Sequence, residues 1–171
     1  GCRDGDGNTF IVDEHAERLW LPQRHAAAIK AMLGRHKIGD RKLELGDLKR
    51  FVAGADVFSR QSDGTTIAAQ YAKHGIALRC ANTDRINGWA EILTRFGEVS
   101  ATPGDQANIR PTLFIHQRCG RLIETLPALQ HDPNRPEDVL KVDADEDGVG
   151  GDDAADAADL VVELGVLGSH R

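Results

Sequence analysis

The sequence predicts an α/β protein in which residues 1–171 form one globular domain. The length and the composition, with 40% hydrophobic and 28% charged residues, are ordinary for a single soluble domain. Strand-like and helix-like segments alternate along the chain, and one strand–helix–strand unit occupies about 30 residues, as is usual for such units. No apolar run approaches the roughly 20 residues that span a bilayer, and no signal-peptide pattern opens the chain. We therefore expect a cytoplasmic location and no membrane partner.

The first predicted elements are a hairpin and a helix. Turn residues at 4–8 precede β-branched and aromatic residues at 9–12, which indicate a strand, so the sequence begins within a hairpin. A helix is predicted next from the apolar spacing of Ile29, Met32 and Leu33, with Pro22 near its start.

A βαβ unit follows. A buried strand is predicted at residues 51–55 and ends in Asp56. Thr65 or Thr66 can cap a helix that runs through Lys73, and residues 76–81 form the second strand. The two strands of such a unit lie parallel, joined by a right-handed crossover.

The second half of the chain alternates in the same way. A helix is capped by Asp84, "PTLFIH" reads as a strand, and "CGRLIETLPALQ" reads as another helix. Residues 132–151 are predicted to be an acidic, irregular segment, and the final helix begins in "GGDDAADA". The pattern as a whole predicts a mixed sheet flanked by helices.

The net charge of −6 is unevenly distributed. Residues 1–131 hold 18 Lys and Arg against 15 Asp and Glu, whereas residues 132–159 hold 2 against 11. Two interpretations of this acidic block stay open: a solvated loop, or carboxylates that collect divalent metal ions.

Several motifs are excluded or weak. The sequence contains no phosphate-binding GxxxxGK[ST] loop and no GxSxG elbow. The aspartates 143, 145 and 147 followed by glycine resemble the start of a calcium loop, but Ala154 stands where that loop needs a bidentate glutamate. His116 and Cys119 lack a second pair at zinc-finger spacing.

The remaining carboxylates indicate metal-dependent phosphodiester chemistry. Asp56 follows a predicted strand, the place where α/β sheets hold ligands and catalytic groups. Asp152 and Asp153 begin a later helix, with Asp156 one turn further. Converging carboxylates of this kind hold the two cations of two-metal nucleases, and hard oxygen ligands suit Mg²⁺ or Mn²⁺.

Four segments, in this order along the chain, carry a resemblance to a known family. They are "GNTFIVDEHAERLWLP", "GADVFSRQSDGTTIAAQYAKHGIALRCANTDRINGW", "PTLFIHQRCGRLIETLPALQHDPNRPEDVLK" and "GGDDAADA". The chain resembles the C-terminal nuclease domain of the large subunit of tailed-phage terminases, which has an RNase H-like fold.

The resemblance implies an endonuclease that cuts concatemeric viral double-stranded DNA in the host cytoplasm, with portal protein and small terminase subunit as partners. It implies two Mg²⁺ or Mn²⁺ ions held by three acidic positions. Asp56 and Asp152, with Asp153 beside it, match two of them as catalytic metal ligands, and Asp156 is an auxiliary ligand. Asp84 is a weaker candidate that we interpret mainly as a helix cap.

The third acidic position precedes the hairpin in which this sequence begins. The resemblance therefore predicts a chain that lacks the first strand, its aspartate and the preceding ATPase domain, and whose cleavage is weak or lost. The segment "DAADLVVELG" also departs from the aromatic-containing continuation usual in the family.

Five arginines are candidate phosphate contacts for DNA: Arg79, Arg85, Arg95, Arg118 and Arg121. Two other classes of function stay open at this point. One is a non-catalytic terminase remnant that docks on the portal or the small subunit, and the other is a calcium-binding acidic module.

Overall fold

The computed structural model describes residues 1–81, 85–97, 110–145 and 150–158. Contacts within the chain divide it into two compact units. The first unit comprises Gly1–Glu14 and Asp84–Arg171, and the second comprises His15–Thr83. Helices and strands occur in both units, so the predicted α/β class is confirmed.

The strands of the described residues are short. They are β1 (Cys2–Arg3), β2 (Thr9–Ile11), β3 (Lys37–Ile38), β4 (Arg41–Lys42), β5 (Phe51–Ala53), β6 (Leu78–Cys80), β7 (Leu113–Ile115), β8 (His131–Asp132) and β9 (Arg135–Val139). The α-helices of the same residues are α1 (Pro22–Leu33), α2 (Ile67–Ala72), α3 (Arg85–Phe96), α4 (Gly120–Thr125) and α5, which covers residues 153–158. Single 3₁₀ turns lie at Leu45–Asp47, Ala55–Phe58 and Leu126–Ala128.

The first unit contains a three-stranded mixed sheet in the order β1-β2-β7. The strand β2 pairs antiparallel with β1 across the predicted hairpin and parallel with β7. Because side chains alternate between the faces of a strand, Thr9, Ile11 and Leu113 are buried on one face. Phe10 and Phe114 stack on the other, with ring centroids 5.1 Å apart.

Helices cover the buried face of this sheet. Trp89 and Ile92 of α3, together with Leu122 of α4, pack in one cluster with the buried strand residues. Ala155 and Ala158 of α5 belong to the same cluster. The small side chains of Ala155 and Ala158 therefore let α5 lie close to the core. Asp153 precedes these two alanines in the sequence, and Asp156 lies between them.

Residues 131–139, predicted to be irregular, form a hairpin instead. The strands β8 and β9 pair antiparallel, and the backbone N–H of Asn134 donates to the Asp132 carboxylate at 2.8 Å in the turn between them. Val139 packs against the core cluster. The prediction of an irregular segment was wrong here. The sequence pattern was dominated by charged residues and did not indicate that Val139 packs against the core.

The second unit contains the predicted βαβ arrangement. The strands β5 and β6 pair parallel, and α2 connects them. Thr66 caps α2, since its hydroxyl accepts the backbone N–H of Ala69 at 3.0 Å. The predicted parallel pair is thus confirmed, although both strands are shorter than predicted.

The helix α1 also agrees with the sequence. Pro22 occupies its first position, where the missing N–H costs nothing, and Ala26 and Leu33 are its buried residues. Among the helices of the described residues, none has the length and apolar character needed to cross a membrane.

We predict that Ile92→Ala lowers the free energy of unfolding by about 2–5 kcal/mol, because it leaves a cavity among the buried residues of the first unit. Ile92 is 1% exposed and its neighbour Leu93 is 61% exposed on the same helix. Leu93→Ala is therefore the matched control, expected to change stability by no more than about 0.5 kcal/mol. Urea unfolding of both variants checks this, and equal losses would contradict the assignment of the core.

Candidate metal site at the start of the last helix

Two glycines determine how the chain enters α5. Gly150 and Gly151 have φ of +75° and +85°, a region that residues with a side chain rarely adopt. A Cβ atom on Gly151 would lie 2.9 Å from the backbone nitrogen of Ala144, whereas one on Gly150 would meet nothing within 4 Å. The backbone N–H of Asp152 donates to the carbonyl of Val142 at 3.1 Å. The helix start is thus fixed against residues 142–144.

The acidic residues that follow the glycines have different environments. Asp152 immediately precedes the first residue of α5, its carbonyl accepts the N–H of Asp156 at 2.9 Å, and the residue is only 7% exposed. Asp153 is exposed, and Asp156 is half-buried. Asp159 lies outside the described residues. The fold therefore encloses Asp152 and the Oδ1 atom of Asp156, whereas Asp153 faces solvent.

Asp56 lies in the second unit, in the 3₁₀ turn that follows β5. The strand ends at Ala53, not at residue 55 as predicted, because the chain turns at Gly54 and enters the 3₁₀ turn. Asp56 is exposed, and its carboxylate folds back over Gly54, where a Cβ atom would lie 2.7 Å from Oδ1. Asp56 thus follows the first strand of the parallel pair, as the sequence predicted, and its carboxylate is accessible.

Another acidic residue that follows a strand was missed from the sequence. Glu14 follows β2, and its carboxylate accepts the backbone N–H groups of Arg121 and Leu122 at 2.5 and 3.1 Å. It therefore caps the first turn of α4 from a distant part of the chain. The rule that singled out Asp56, an acid just after an apolar strand, applies equally to "TFIVDE" and would have found it.

The pair considered for zinc has structural contacts. Cys119 is fully buried, and burial, followed by the nearby charges of Glu14 and Asp13, raises the pKa of its thiol. The Nδ1 atom of His116 accepts the backbone N–H of Arg118 at 3.1 Å. Within the part of the chain that the structure describes, no group of three or more His, Cys, Asp or Glu side chains could hold a metal ion.

The arginines predicted to contact DNA differ in the exposure of their side chains. Arg79 and Arg118 are exposed, and Arg121 is half-buried. Asp84 and the side chain of Arg85 lie outside what the structure describes. Arg95 donates from Nε to Glu91 at 2.8 Å and from NH1 to the carbonyl of Gly7 at 3.2 Å, with its side chain 12% exposed.

The proposed role of Arg95 in DNA contact is therefore corrected. Its guanidinium joins α3 to the turn of the first hairpin, which leaves little of it for a phosphate. The i,i+4 spacing from Glu91 was the signal in the sequence for this alternative.

The calcium-loop interpretation gains little from the structure. Asp143 and Asp145 are exposed and lie in a segment without regular secondary structure. Residue 147 lies outside the described residues. Ala144, between the first two aspartates, supplies the backbone against which Gly151 packs.

Comparisons with protein-family models, with curated proteins and with solved structures gave no match for this chain.

We predict that Gly151→Ala costs at least about 1 kcal/mol more unfolding free energy than Gly150→Ala. Both substitutions place a side chain at positive φ, a strain of roughly 1–2 kcal/mol, but only the first also forces a Cβ atom against the backbone of Ala144. Urea unfolding of the two variants measures the difference. Equal costs would show that the close approach at Gly151 does not hold the helix start.

We predict that Arg95→Ala lowers the free energy of unfolding by about 1–2 kcal/mol, because it removes charge-assisted hydrogen bonds between α3 and the first hairpin. Arg118→Ala, an exposed arginine of the same unit, is the control and should change stability by less than about 0.5 kcal/mol. Thermal unfolding followed by circular dichroism compares them. An unchanged midpoint for Arg95→Ala would return this residue to the set of candidate DNA contacts.

Proposed function

We propose that this chain is a metal-dependent DNA endonuclease domain of the terminase large-subunit type, with an RNase H-like fold, that cuts double-stranded viral DNA during packaging. The four sequence segments that resemble the terminase nuclease support this proposal. The arrangement of Asp152 supports it independently. The host cytoplasm, the portal protein and the small terminase subunit belong to the same proposal.

The observation that carries the proposal is the enclosed carboxylate at the start of α5. Two consecutive glycines at positive φ and a backbone contact with Ala144 hold the residue before this helix in one place. The Asp152 residue is 7% exposed, so the fold holds an oxygen donor of the kind that divalent cations prefer at a defined place in the first unit.

The donor chemistry fits the ions that the resemblance implies. Asp152 and Asp56 offer carboxylate oxygens, the hard ligands that Mg²⁺ and Mn²⁺ prefer. We propose Asp152 as a metal ligand of the first unit, with Asp153 and Asp156 as further ligands beside it, and Asp56, which the resemblance implies, as a metal ligand of the second unit. Bound metal ions of this kind supply activation of the attacking water and stabilisation of the leaving oxygen.

The remaining residues would bind the substrate rather than the metals. Arg79 and Arg118 are exposed cations, and exposed arginines bind DNA phosphates without regard to sequence. They are our candidates for holding the duplex. Binding through them should weaken steeply as the salt concentration rises.

A second candidate is a non-catalytic interaction domain that docks on the portal or the small subunit. The observation that favours it is the dispersal of the acids: within the described residues they form no group of three that could hold a metal. The carboxylate of Glu14, an acidic residue of the same unit as Asp152, caps α4. In this alternative the acidic segment is a solvated surface.

Plasmid cleavage in Mn²⁺ distinguishes the two candidates. We expect weak relaxation of supercoiled DNA, slowed at least about 10-fold further by Asp56→Asn and by Asp152→Asn because each removes a metal ligand. Asp40→Asn and Asp145→Asn remove exposed aspartates from the second and first units and serve as matched controls. Mn²⁺ titration by calorimetry accompanies each assay.

Three results of the cleavage and Mn²⁺ titration experiments distinguish the proposed functions. Cleavage that is unaffected by both Asp56→Asn and Asp152→Asn would refute the assigned ligands. The absence of both cleavage and Mn²⁺ binding would overturn the nuclease proposal in favour of the interaction domain. Mn²⁺ binding lost with Asp145→Asn but retained with Asp152→Asn would instead support the acidic calcium-type module.

A further inference from the structure

Two histidines of the second unit face each other directly. The Nε2 atom of His15 lies 3.0 Å from the Nδ1 atom of His25, and the two rings are at 68° to each other with centroids 5.2 Å apart. Both side chains are half-buried. Two imidazole nitrogens at this distance share one proton, since one ring must donate an N–H and the other must offer a lone pair.

The local sequence explains why the rings meet. Pro22 begins α1, which places Trp20 just outside the helix and His25 in its first turn, the two positions that form a hydrophobic staple. Leu19, at φ +61°, is the non-glycine residue of the described chain with a left-handed backbone. This turn lets the chain return from His15 to the helix start.

An aromatic and charged environment holds the pair. The Trp20 ring lies 5.4 Å from His15 and 5.7 Å from His25, measured between centroids, and the Arg24 guanidinium covers Trp20 at 3.9 Å. The Trp20 ring thus lies beside both imidazoles and restrains their orientation.

The groups around His25 shift its pKa in opposite directions. Burial, followed by the charge of His15, lowers the pKa of His25, while Glu17 and the backbone of Trp20 act against this shift. Glu17 is exposed, and its negative charge near His25 would attract a cation.

We propose that His15 and His25 form a bidentate site for a first-row transition-metal dication, with Nε2 of His15 and Nδ1 of His25 as its two protein ligands. The shared proton would move to the other nitrogen of the ring that carries it, the metal would lie beside the line that joins the two ligating nitrogens, and water would complete its coordination. With metal–nitrogen distances of about 2.0–2.1 Å, the observed separation of the nitrogens corresponds to an angle of about 95° at the ion. That angle suits adjacent positions of a square-planar or octahedral ion, so Cu²⁺ and Ni²⁺ fit better than tetrahedral Zn²⁺.

This site is independent of the proposed nuclease site. Imidazole nitrogens select Cu²⁺, Ni²⁺ and Zn²⁺, whereas the carboxylates of Asp56 and Asp152 suit Mg²⁺ and Mn²⁺. Loss of one kind of binding should therefore leave the other unchanged. The two proposals can fail separately.

Calorimetric titration of the whole chain with Cu²⁺, Ni²⁺ and Zn²⁺ in excess Mg²⁺ tests the proposal. We expect the affinity to be highest for Cu²⁺ and to fall at least about 10-fold in both His15→Gln and His25→Gln. His131→Gln is the matched control, because His131 is an exposed histidine of the other unit. Far-UV circular dichroism of each variant establishes that it is folded.

Imidazole ¹⁵N spectra with sub-stoichiometric Zn²⁺ give a readout that does not depend on variants. We expect the first shifts at Nε2 of His15 and Nδ1 of His25. Unchanged Cu²⁺ affinity in both glutamine variants, or first shifts at other histidines among the seven of the chain, would overturn the proposal. A Cu²⁺ affinity lowered as much by His131→Gln as by the pair would do the same.

Discussion

The close approach of Gly151 to the backbone of Ala144 is the constraint on which the candidate metal site depends. It fixes the start of α5, and the small residues Ala155 and Ala158 then let this helix settle onto the core of the first unit. Asp152 is enclosed as a consequence, while Asp153, one residue later, faces solvent. The described aspartates of this cluster are thus not equivalent: Asp152 and the Oδ1 atom of Asp156 are buried, and Asp153 is exposed.

Glu14 and Asp56 both follow strands, but their carboxylates have different surroundings. Glu14 follows β2 and satisfies two backbone N–H groups at the start of α4, so its charge is used in holding the fold together. Asp56 follows β5 through a 3₁₀ turn and stays exposed. The difference arises from the neighbours of each carboxylate. Glu14 lies at the start of α4, whose backbone N–H groups need acceptors, whereas Asp56 lies in an exposed turn. Only the second arrangement leaves a carboxylate available for a ligand.

The sequence predicted those features that local interactions determine. The hairpin at the start, the parallel β5–β6 pair and the Thr66 cap depend on turn residues and apolar runs within a short stretch of chain. Contacts between distant residues were not predictable in this way. The charged segment forms a hairpin in which the partly buried Val139 packs against the core of the first unit. Between His15 and His25, Leu19 has a left-handed backbone that its residue type does not indicate. For the candidate site, the sequence indicated which acids follow strands and begin helices but not which of them is enclosed.

We propose that the Asp152 carboxylate, positioned after Gly150 and Gly151, binds a divalent metal ion. Paramagnetic broadening of backbone amide signals by sub-stoichiometric Mn²⁺ tests it most directly, because broadening falls off with distance from the bound ion. We expect the backbone amide signals of residues 150–156 to broaden first, and this broadening to be lost in Asp152→Asn. Broadening centred on residues 143–145 and retained in that variant, or no selective broadening at all, would contradict it.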